Sequence, residues 1–300
     1  MQLREIPINY FGIELIRNGE FENLGNFSNT QDRLLIFLED INYLSTAIDH
    51  PTVSCVITRK EIAEKIPKNI GLAVADNPKI AFFKFHNYLS KNTDFYCTPF
   101  DTEISDSAIV HQNAYVATKN VRIGHGCIIE SGVSILEGTT TGKDVTVRAG
   151  STIGAIGNEN IREHDNSFFR VEQAGGVLLS NGVIISSNSC IQRSVFKNAT
   201  FLGEETVVDS LVLIGHQVFI GKRCFITGGV VIAGSTVIGD DVYIGPNATI
   251  SNNLHIGNKV FITIGSVVTK NIDSEKAWIR DKMISRRVFE TVRSFKKRTK

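Results

Sequence analysis

His216 and Gly234 are residues whose types could act together, one as a proton acceptor and the other as a backbone hydrogen-bond donor. An imidazole can take a proton from an attacking amine or hydroxyl near neutral pH. A glycine presents a backbone N–H that no side chain shields, and such a donor stabilises a carbonyl oxygen as it becomes negatively charged. The two residues lie eighteen positions apart in the sequence, so the fold decides whether they meet. A solvated surface histidine is the alternative for His216.

A repeat of six residues runs through the region that contains both residues. Between positions 202 and 267 every sixth residue is Ile, Leu or Val, and a small residue or an aspartate follows each one. The leading residues are Leu202, Val208, Ile214, Ile220, Ile226, Ile232, Ile238, Ile244, Ile250, Ile256 and Ile262. A period of six is neither that of a helix nor that of a simple strand, and it is typical of a parallel β-helix with three short strands per coil. One coil is then eighteen residues long, which would stack His216 beneath Gly234 at the strand spacing of about 4.8 Å.

The same period extends towards the N-terminus with two interruptions and with one extra residue, Arg122, between the leads Val116 and Ile123. The further leading residues are Ile104, Val110, Val116, Ile123, Ile129, Ile135, Thr141, Val147, Leu179, Ile185 and Ile191. The 22 hexads predict about seven coils over residues 104–272, and only Thr141 breaks the aliphatic rule. Residues 155–176 lack the period and are predicted to form a long excursion, while residues 197–201 form a short slip.

Two segments flank the repeat. Residues 1–103 mix helical and strand patterns, which predicts a small α/β domain. Residues 273–300 contain apolar residues at near-helical spacing, and ten Lys and Arg stand against two acids over 276–300. We interpret this end as a basic amphipathic helix. Its basic face either is solvated or docks an acidic partner; no recognised motif supports nucleic acid as the partner.

Composition limits the class of protein. Hydrophobic residues make up 42% of the chain and charged residues 21%, which is typical of a soluble globular protein. No run of 18 apolar residues occurs, so we expect no transmembrane segment, and the N-terminal residues lack the apolar core of a signal peptide. The five cysteines are scattered and form no CxxC pair, which favours reduced thiols in a cytoplasmic protein.

Several segments, in a fixed order along the whole chain, together resemble a known family. They are FLEDINYL, VSCVIT and VADNPKIAFFKF before the repeat, and VVDSLVLIGHQVFIG and ITGGVVIAGSTVIG within it. The chain thereby resembles UDP-3-O-acylglucosamine N-acyltransferase of the lipid A pathway and related enzymes that acylate nucleotide-linked amino sugars. The resemblance implies a mostly β protein with a left-handed parallel β-helix, assembled as a homotrimer with active sites at subunit junctions. It also implies an acyl thioester of acyl carrier protein or coenzyme A as co-substrate, with no metal and no tightly bound cofactor.

The resemblance assigns catalytic roles to three residues of the repeat. His216 matches the family's general base, and Gly234 matches its oxyanion-hole glycine. Asp209 matches an aspartate that could hold the tautomer of His216.

The resemblance also implies a nucleotide clamp in the first domain. Phe37, Asp40 and Tyr43 stand where the family has two aromatic rings around an Asn, and two rings can sandwich a pyrimidine. Asp40 can accept a base N–H but lacks the amide donor of Asn, so the identity of the base stays open. As residues of a helix-bearing domain, Phe37 and Tyr43 could instead serve the core.

The chain departs from the family at positions that concern the sugar and the acyl group. Asn253 stands where the family has a second active-site histidine, residues 156–160 read IGNEN, and a different segment follows the last coil. These departures favour a relative acting on another amino sugar over the strict lipid A substrate.

An N-acyltransferase is the leading hypothesis, and three alternatives compete with it. An O-acyltransferase would use the same base and oxyanion donor. A metalloenzyme like γ-carbonic anhydrase needs three histidines around Zn²⁺, but the histidines here are scattered without a paired motif. A non-catalytic scaffold would bind the sugar nucleotide without turnover.

Overall fold

The computed structural model describes residues 1–7, 11–26, 31–163 and 165–291. The chain divides into two compact units. The first comprises Met1–Thr98, Asn158–Ala174 and Val195–Lys197, and the second comprises Pro99–Gly157, Gly175–Ser194 and Asn198–Lys300. Within these described ranges, no helix is both long enough and apolar enough to cross a membrane.

The first unit contains a five-stranded sheet with the order β1-β5-β4-β3-β2. Its strands are β1 (Glu14–Arg17), β2 (Asn23–Leu24), β3 (Leu34–Leu38), β4 (Val53–Thr58) and β5 (Gly71–Val74). Strands β2 to β5 are parallel to one another, and β1 is antiparallel to β5. Its helices are α1 (Leu44–Ile48), α2 (Lys60–Ala63) and α3 (Pro78–Asn92), with 3₁₀ turns at Leu3–Glu5 and Ile41–Tyr43. The predicted α/β fold of this part is confirmed.

The two faces of this sheet carry separate cores, because successive side chains of a strand point to opposite faces. Leu34 and Ile36 on β3 pack with residues of α1 and α2 in one cluster. Leu35 on β3 and Ile57 on β4 pack with Phe82 and its neighbours on α3 in the other cluster. The chain therefore passes to the opposite face of the sheet after β5.

The excursion folds as part of this first unit. Strands Asn160–Arg162 and Phe168–Arg170 form an antiparallel hairpin. On α3, the Asn87 side-chain amide donates to the carbonyl of Arg170 at 2.8 Å and its oxygen accepts from the N–H of Glu172 at 2.9 Å. These bonds fix the end of the hairpin strand along α3.

A buried histidine adds to this attachment. His86 on α3 has no solvent exposure, and its Nε2 lies 2.9 Å from the carbonyl oxygen of Glu172. A carbonyl can only accept, so Nε2 carries the proton, and Nδ1 accepts from the Tyr96 hydroxyl at 2.5 Å. Burial lowers the pKa of His86 to about 4, and the Glu172 carbonyl and carboxylate oppose that shift.

The second unit is the predicted left-handed parallel β-helix, with three faces. The first face stacks Glu103–Ile104, Arg122–Ile123, Thr139–Thr141, Gly176–Leu179, Ala199–Leu202, Phe219–Ile220, Val237–Ile238 and His255–Ile256. The second face stacks Ile109–Val110, Ile128–Ile129, Thr146–Val147, Ile184–Ile185, Val207–Val208, Phe225–Ile226, Tyr243–Ile244 and Phe261–Ile262, followed by Lys276–Ile279 and Lys282–Ser285. The third face stacks Tyr115–Val116, Ser134–Ile135, Thr152–Ala155, Cys190–Gln192, Leu213–Ile214, Val231–Ile232, Thr249–Ile250 and Val267–Val268.

The described part of the chain thus forms eight coils rather than about seven, because eight strands stack on each face before the terminal strands. The additional inward residues are Ile153 and Val268, each fully buried. The leading residues from Ile123 onwards form one continuous core, and burial of each aliphatic side chain contributes roughly 1.5–3 kcal/mol. Thr141 is tolerated inside because its hydroxyl oxygen accepts from the N–H of Gly124 at 3.0 Å.

The glycine that follows many leading residues is required by close stacking of the coils and not by a left-handed φ. A glycine often follows the leading residue, but the left-handed φ falls two positions later, as at Gln217 (φ 57°), Ser235 (φ 59°) and Asn253 (φ 57°). The glycine is needed for close stacking of the coils. A Cβ atom on Gly215 would lie 2.8 Å from the backbone nitrogen of Gly234.

The three corners differ in charge. The first corner follows each strand of the first face, and over residues 203–272 it holds alternating charges on successive coils, such as the ion pair of Arg223 with Asp241 at 2.8 Å. The second corner follows the second face, and the third corner follows the third face. Over the same residues Asp209 is the one Asp, Glu, Lys or Arg of the second corner, and Lys270 is the one of the third.

The C-terminal end differs from its prediction. The sequence pattern predicts a helix over 273–300, but Lys276–Ile279 pairs in parallel with Phe261–Ile262, and Lys282–Ser285 returns antiparallel to it. The prediction is wrong for this part because the open edge of the second face offers backbone partners and Trp278, only 1% exposed, fills the end of the core. A helix begins at residue 286 and continues to 291; residues 292–300, with Val292 and Phe295, lie outside the described residues.

We expect the buried His86 to make the first unit less stable in acid. Its folded-state pKa is lowered to about 4, so the unfolded chain binds more protons between about pH 6.5 and 4, and stability falls as the pH falls through that window. The full effect is about 3 kcal/mol. Urea denaturation of the wild type and of His86→Gln at several pH values tests this. The variant should be less stable at pH 7, and its deficit should shrink towards pH 4; equal slopes in both proteins would contradict the expectation.

Candidate active site

The third corner brings His216 and Gly234 together on successive coils. Leu213–Ile214 pairs in register with Val231–Ile232. His216, two residues after Ile214, therefore stacks on Gly234, two residues after Ile232. The backbone between them is fixed by a 2.8 Å hydrogen bond from the N–H of Ser235 to the carbonyl of His216. The eighteen-residue spacing therefore corresponds to direct neighbours.

The imidazole of His216 lies against the backbone of Gly234. A Cβ atom at position 234 would be 2.6 Å from both Nε2 and Cε1 of the ring, and such distances are far inside van der Waals contact. His216 is half-buried, as is Gly234. The imidazole therefore occupies the space that a side chain at position 234 would need.

The N–H of Gly234 differs from its counterparts at the charged first corner. There the corresponding N–H groups are capped by side chains of the next coil: Lys222 donates to Asp240 and Asp240 donates to Asn258, both at 2.8 Å. No acceptor among the described residues takes the N–H of Gly234. This donor is therefore available to a substrate oxygen beside the imidazole.

Asp209 is not beside His216 within one chain. It lies at the second corner, at the opposite end of the strand Leu213–Ile214, and its Oδ1 accepts from the N–H of Ser210 at 2.7 Å. Seven residues at about 3.3 Å each amount to about 23 Å when fully extended, and one whole face of the coil lies between the two corners, so the side chains are well beyond hydrogen-bonding distance. Any contact between Asp209 and a catalytic His216 requires two chains.

The three residues predicted to clamp a nucleotide follow one another at the end of β3. Phe37 is half-buried, and its ring packs against Phe82 and Phe83 at 5.2 and 5.7 Å. Asp40 caps the following 3₁₀ turn, since its Oδ1 accepts from the N–H of Asn42 at 2.8 Å. Tyr43 ends that turn and is 54% exposed. Phe37 thus contributes to the core, while Tyr43 and the second oxygen of Asp40 face outward from it.

Sequence reasoning missed an aromatic wall next to the third corner. Phe201 and Phe219 stack at 4.7 Å on the outer side of the first face, where Phe219 is 44% exposed. Val237 and His255 continue the same row on the next coils. The signal was present, because the residue before the leading residue is aromatic in five of the eleven hexads from Leu202 to Ile262, namely at Phe201, Phe219, Phe225, Tyr243 and Phe261.

His125 does not join the third corner, whereas His255 begins the first-face strand directly after that corner. His125 lies exposed at the first corner, where its carbonyl accepts from the N–H of Asp144, and His164 lies outside the described residues. Across the described chain, no three His, Cys, Asp or Glu side chains are grouped so that they could hold a metal ion.

The chain has relatives among known enzymes, although no family model matches it. The UDP-3-O-acylglucosamine N-acyltransferase of Helicobacter pylori is 28% identical over 239 residues, covering 72% of this chain and 69% of that protein. The enzyme of the same name from Prochlorococcus marinus is 27% identical over 238 residues, covering 69% of this chain and 67% of its own. Among solved structures, the UDP-N-acetylglucosamine acyltransferase of Francisella novicida aligns with a TM-score of 0.49 and 22% identity, covering 60% of this chain and 68% of the other.

The curated relatives confirm the predicted resemblance and the predicted enzyme class, an N-acyltransferase of the hexapeptide-repeat type. The roles of individual residues remain predictions.

Replacement of Gly234 by alanine should displace the imidazole, because the added Cβ would fall 2.6 Å from the ring. Gly239 is the matched control, because an added Cβ there would crowd Asn258 at the first corner, between coils but away from the imidazole. We expect Gly234→Ala to alter the environment of His216 in a crystal structure or a histidine NMR spectrum, while Gly239→Ala leaves it as in the wild type. An unchanged position of the His216 ring in Gly234→Ala would contradict this expectation, because it would show that the backbone of the corner can shift to accommodate the Cβ atom.

Proposed function

We propose that this chain, a relative of the UDP-3-O-acylglucosamine N-acyltransferases, transfers an acyl group from a thioester to the amino group of a nucleotide-linked amino sugar. The observation that carries the proposal is the third corner, where a half-buried imidazole lies against a glycine whose N–H has no acceptor among the described residues. Such sugars are acceptors in the synthesis of lipid A or of other surface glycans.

The two groups suit the two demands of the reaction. As the amine nitrogen attacks the thioester carbonyl carbon, His216 takes the proton that the nitrogen releases. The N–H of Gly234 donates to the carbonyl oxygen, which carries the negative charge of the tetrahedral intermediate. When the carbon–sulfur bond breaks, His216 returns the proton to the departing sulfur, so the products are an amide and a free thiol.

The charge distribution supports a homotrimer with shared sites. The first corner is a ladder of ion pairs suited to solvent, whereas the second and third corners are almost uncharged over residues 203–272. A threefold ring requires a heterologous contact, in which one surface of a subunit meets a different surface of the next. Pairing of the second corner with the third would set Asp209 of one subunit near His216 of its neighbour, because both residues belong to the same coil. Asp209 would then hold the imidazole tautomer across the junction.

The donor and the compartment follow from other features. The stacked rings of Phe201 and Phe219 offer an apolar wall for the acyl chain. The basic C-terminal end favours an acidic carrier protein as donor over free coenzyme A.

All five cysteines are free, which supports a reducing compartment and hence the cytoplasm. Phe37, Asp40 and Tyr43 are the proposed contacts to the nucleobase, with Tyr43 supplying the exposed ring.

Replacement of His216 by alanine should lower kcat by at least about a hundredfold, since a positioned general base contributes roughly that much or more. The assay is mass spectrometry of products from acyl-carrier and acyl-coenzyme A donors with a panel of nucleotide-linked amino sugars, which also separates N- from O-acylation. His125→Ala is the control, because that histidine lies at the first corner. A loss below tenfold in His216→Ala would refute the role as base.

Complementation between defective subunits should reveal the shared site. Asp209→Asn and His216→Ala are each expected to be poorly active as pure trimers. If the two side chains act across a junction, every mixed trimer contains one junction with both wild-type residues, and random mixing of equal amounts restores about a quarter of wild-type activity. Size-exclusion chromatography with light scattering confirms the assembly. No recovery on mixing would place both residues in one chain or remove Asp209 from the site.

A further inference from the structure

The third corner continues beyond Gly234 with an asparagine on the next coil. Val231–Ile232 pairs in register with Thr249–Ile250. Asn252 therefore stacks directly on Gly234, because each lies two residues after its strand. His216, Gly234 and Asn252 thus occupy the same position of the corner on three successive coils, which follow one another at the strand spacing of about 4.8 Å.

Two backbone hydrogen bonds fix Asn252 against the coil before it. The N–H of Ala233 donates to the carbonyl of Ile250 at 2.9 Å. The N–H of Asn253 donates to the carbonyl of Gly234 at 3.1 Å. These bonds lie on either side of the contact between positions 234 and 252, so the backbone there has one arrangement.

The first corner has the same backbone arrangement around Lys222 and Asp240, where the N–H of Asp241 donates to the carbonyl of Lys222 at 2.9 Å. The carboxylate of Asp240 reaches the coil before it and accepts from the N–H of Lys222 at 2.8 Å. An asparagine side chain has the same length as an aspartate side chain. The amide of Asn252 can therefore reach the group to which the N–H of Gly234 donates.

A serine holds the oxygen of the Asn252 amide. The hydroxyl of Ser251 donates to Oδ1 of Asn252 at 3.3 Å. At the first corner the residues that precede Asp240 and Asn258 are glycines, which have no hydroxyl. With its oxygen engaged by Ser251, the exposed Asn252 presents Nδ2 as a donor, and no group in the described part of the chain accepts from it.

We infer that Asn252 is a second hydrogen-bond donor to the carbonyl oxygen that becomes negatively charged during acyl transfer. Oxyanion holes combine backbone N–H groups with side-chain amides such as that of asparagine. The N–H of Gly234 and Nδ2 of Asn252 come from neighbouring coils and can converge on one oxygen, while His216 on the preceding coil takes the proton. The inference rests on the proposed function for the reaction and adds a residue to which the family resemblance assigns no role.

Substitution of Asn252 in the full chain tests this in the acyl-transfer assay. Asn252→Ala should lower kcat at least about tenfold, since loss of one oxyanion donor costs that much or more. KM should stay near the wild-type value, because the bond strengthens only as the charge develops. Asn252→Asp should lower kcat further than Asn252→Ala, because its carboxylate would accept from the N–H of Gly234 as Asp240 does from Lys222. A side chain that only filled space would give the opposite order.

Asn258→Ala is the matched control. Asn258 is an exposed asparagine at the same position of the first corner, where its Oδ1 accepts from the N–H of Asp240 at 2.8 Å. Its loss should lower stability and leave kcat and KM unchanged. A kcat within about threefold of the wild type in Asn252→Ala overturns the inference, as does an Asn252→Asp variant more active than Asn252→Ala. Inactivity of His216→Ala beside either result would retain the function.

Infrared spectroscopy of a bound thioester with an isotope-labelled carbonyl gives a readout that needs no turnover. In His216→Ala, binding of the labelled acyl-coenzyme A or acyl-carrier thioester should lower the carbonyl stretching frequency. Adding Asn252→Ala should reduce that shift, whereas adding Asn258→Ala should not. A reduced shift with no acyl transfer by the wild type would retain the second donor and reject the function. An unchanged shift overturns the inference, and no binding of either thioester at millimolar concentration overturns both.

Discussion

The register between successive coils is the constraint on which the second unit depends. Each strand of two residues hydrogen-bonds in parallel to the strand eighteen residues further on through most of the helix, for example Ile214 with Ile232 and Ile232 with Ile250. Such strands are too short to be stable alone, and they persist because each inward side chain also enters a continuous aliphatic core. A shift by one residue would turn that core outward. The geometry at His216 and Gly234 is therefore set by hydrogen bonds and burial along the whole stack.

Close stacking explains why the corners accept so few side chains. At Gly215 and Gly234 the neighbouring coil occupies the volume that a Cβ would need, so glycine is required by contact and not by φ. The left-handed φ falls instead on Gln217 and Ser235. Close contact between coils and the left-handed φ therefore fall on different residues of the corner. Only the close contact involves the imidazole of His216.

The sequence predicted the repeat and the pairing of His216 with Gly234, because a strict period of six leaves one stacking arrangement. Prediction from the sequence failed where the local structure depends on residues that are distant along the chain. Lys276–Ile279 has helical spacing, yet it forms a strand because the last coil offers an unpaired edge. The excursion has no period, and its attachment depends on Asn87 and His86 of α3, more than seventy residues earlier in the chain. Asp209 follows the lead before that of His216 and so lies one corner earlier in the same coil, which the period of six already implies; only the family resemblance suggested that the two side chains meet.

The terminal rung of the prism has a consequence for association of the protein with itself. A stack of parallel strands ends in a row of backbone groups that another chain could continue indefinitely, as in a fibril. Here the last rung is followed by an antiparallel strand, and the indole of Trp278 closes the hydrophobic channel while its N–H donates to the carbonyl of Arg280 at 2.8 Å. The reversal of strand direction ends the parallel repeat on the second face, so a further coil could not continue that face in the same arrangement.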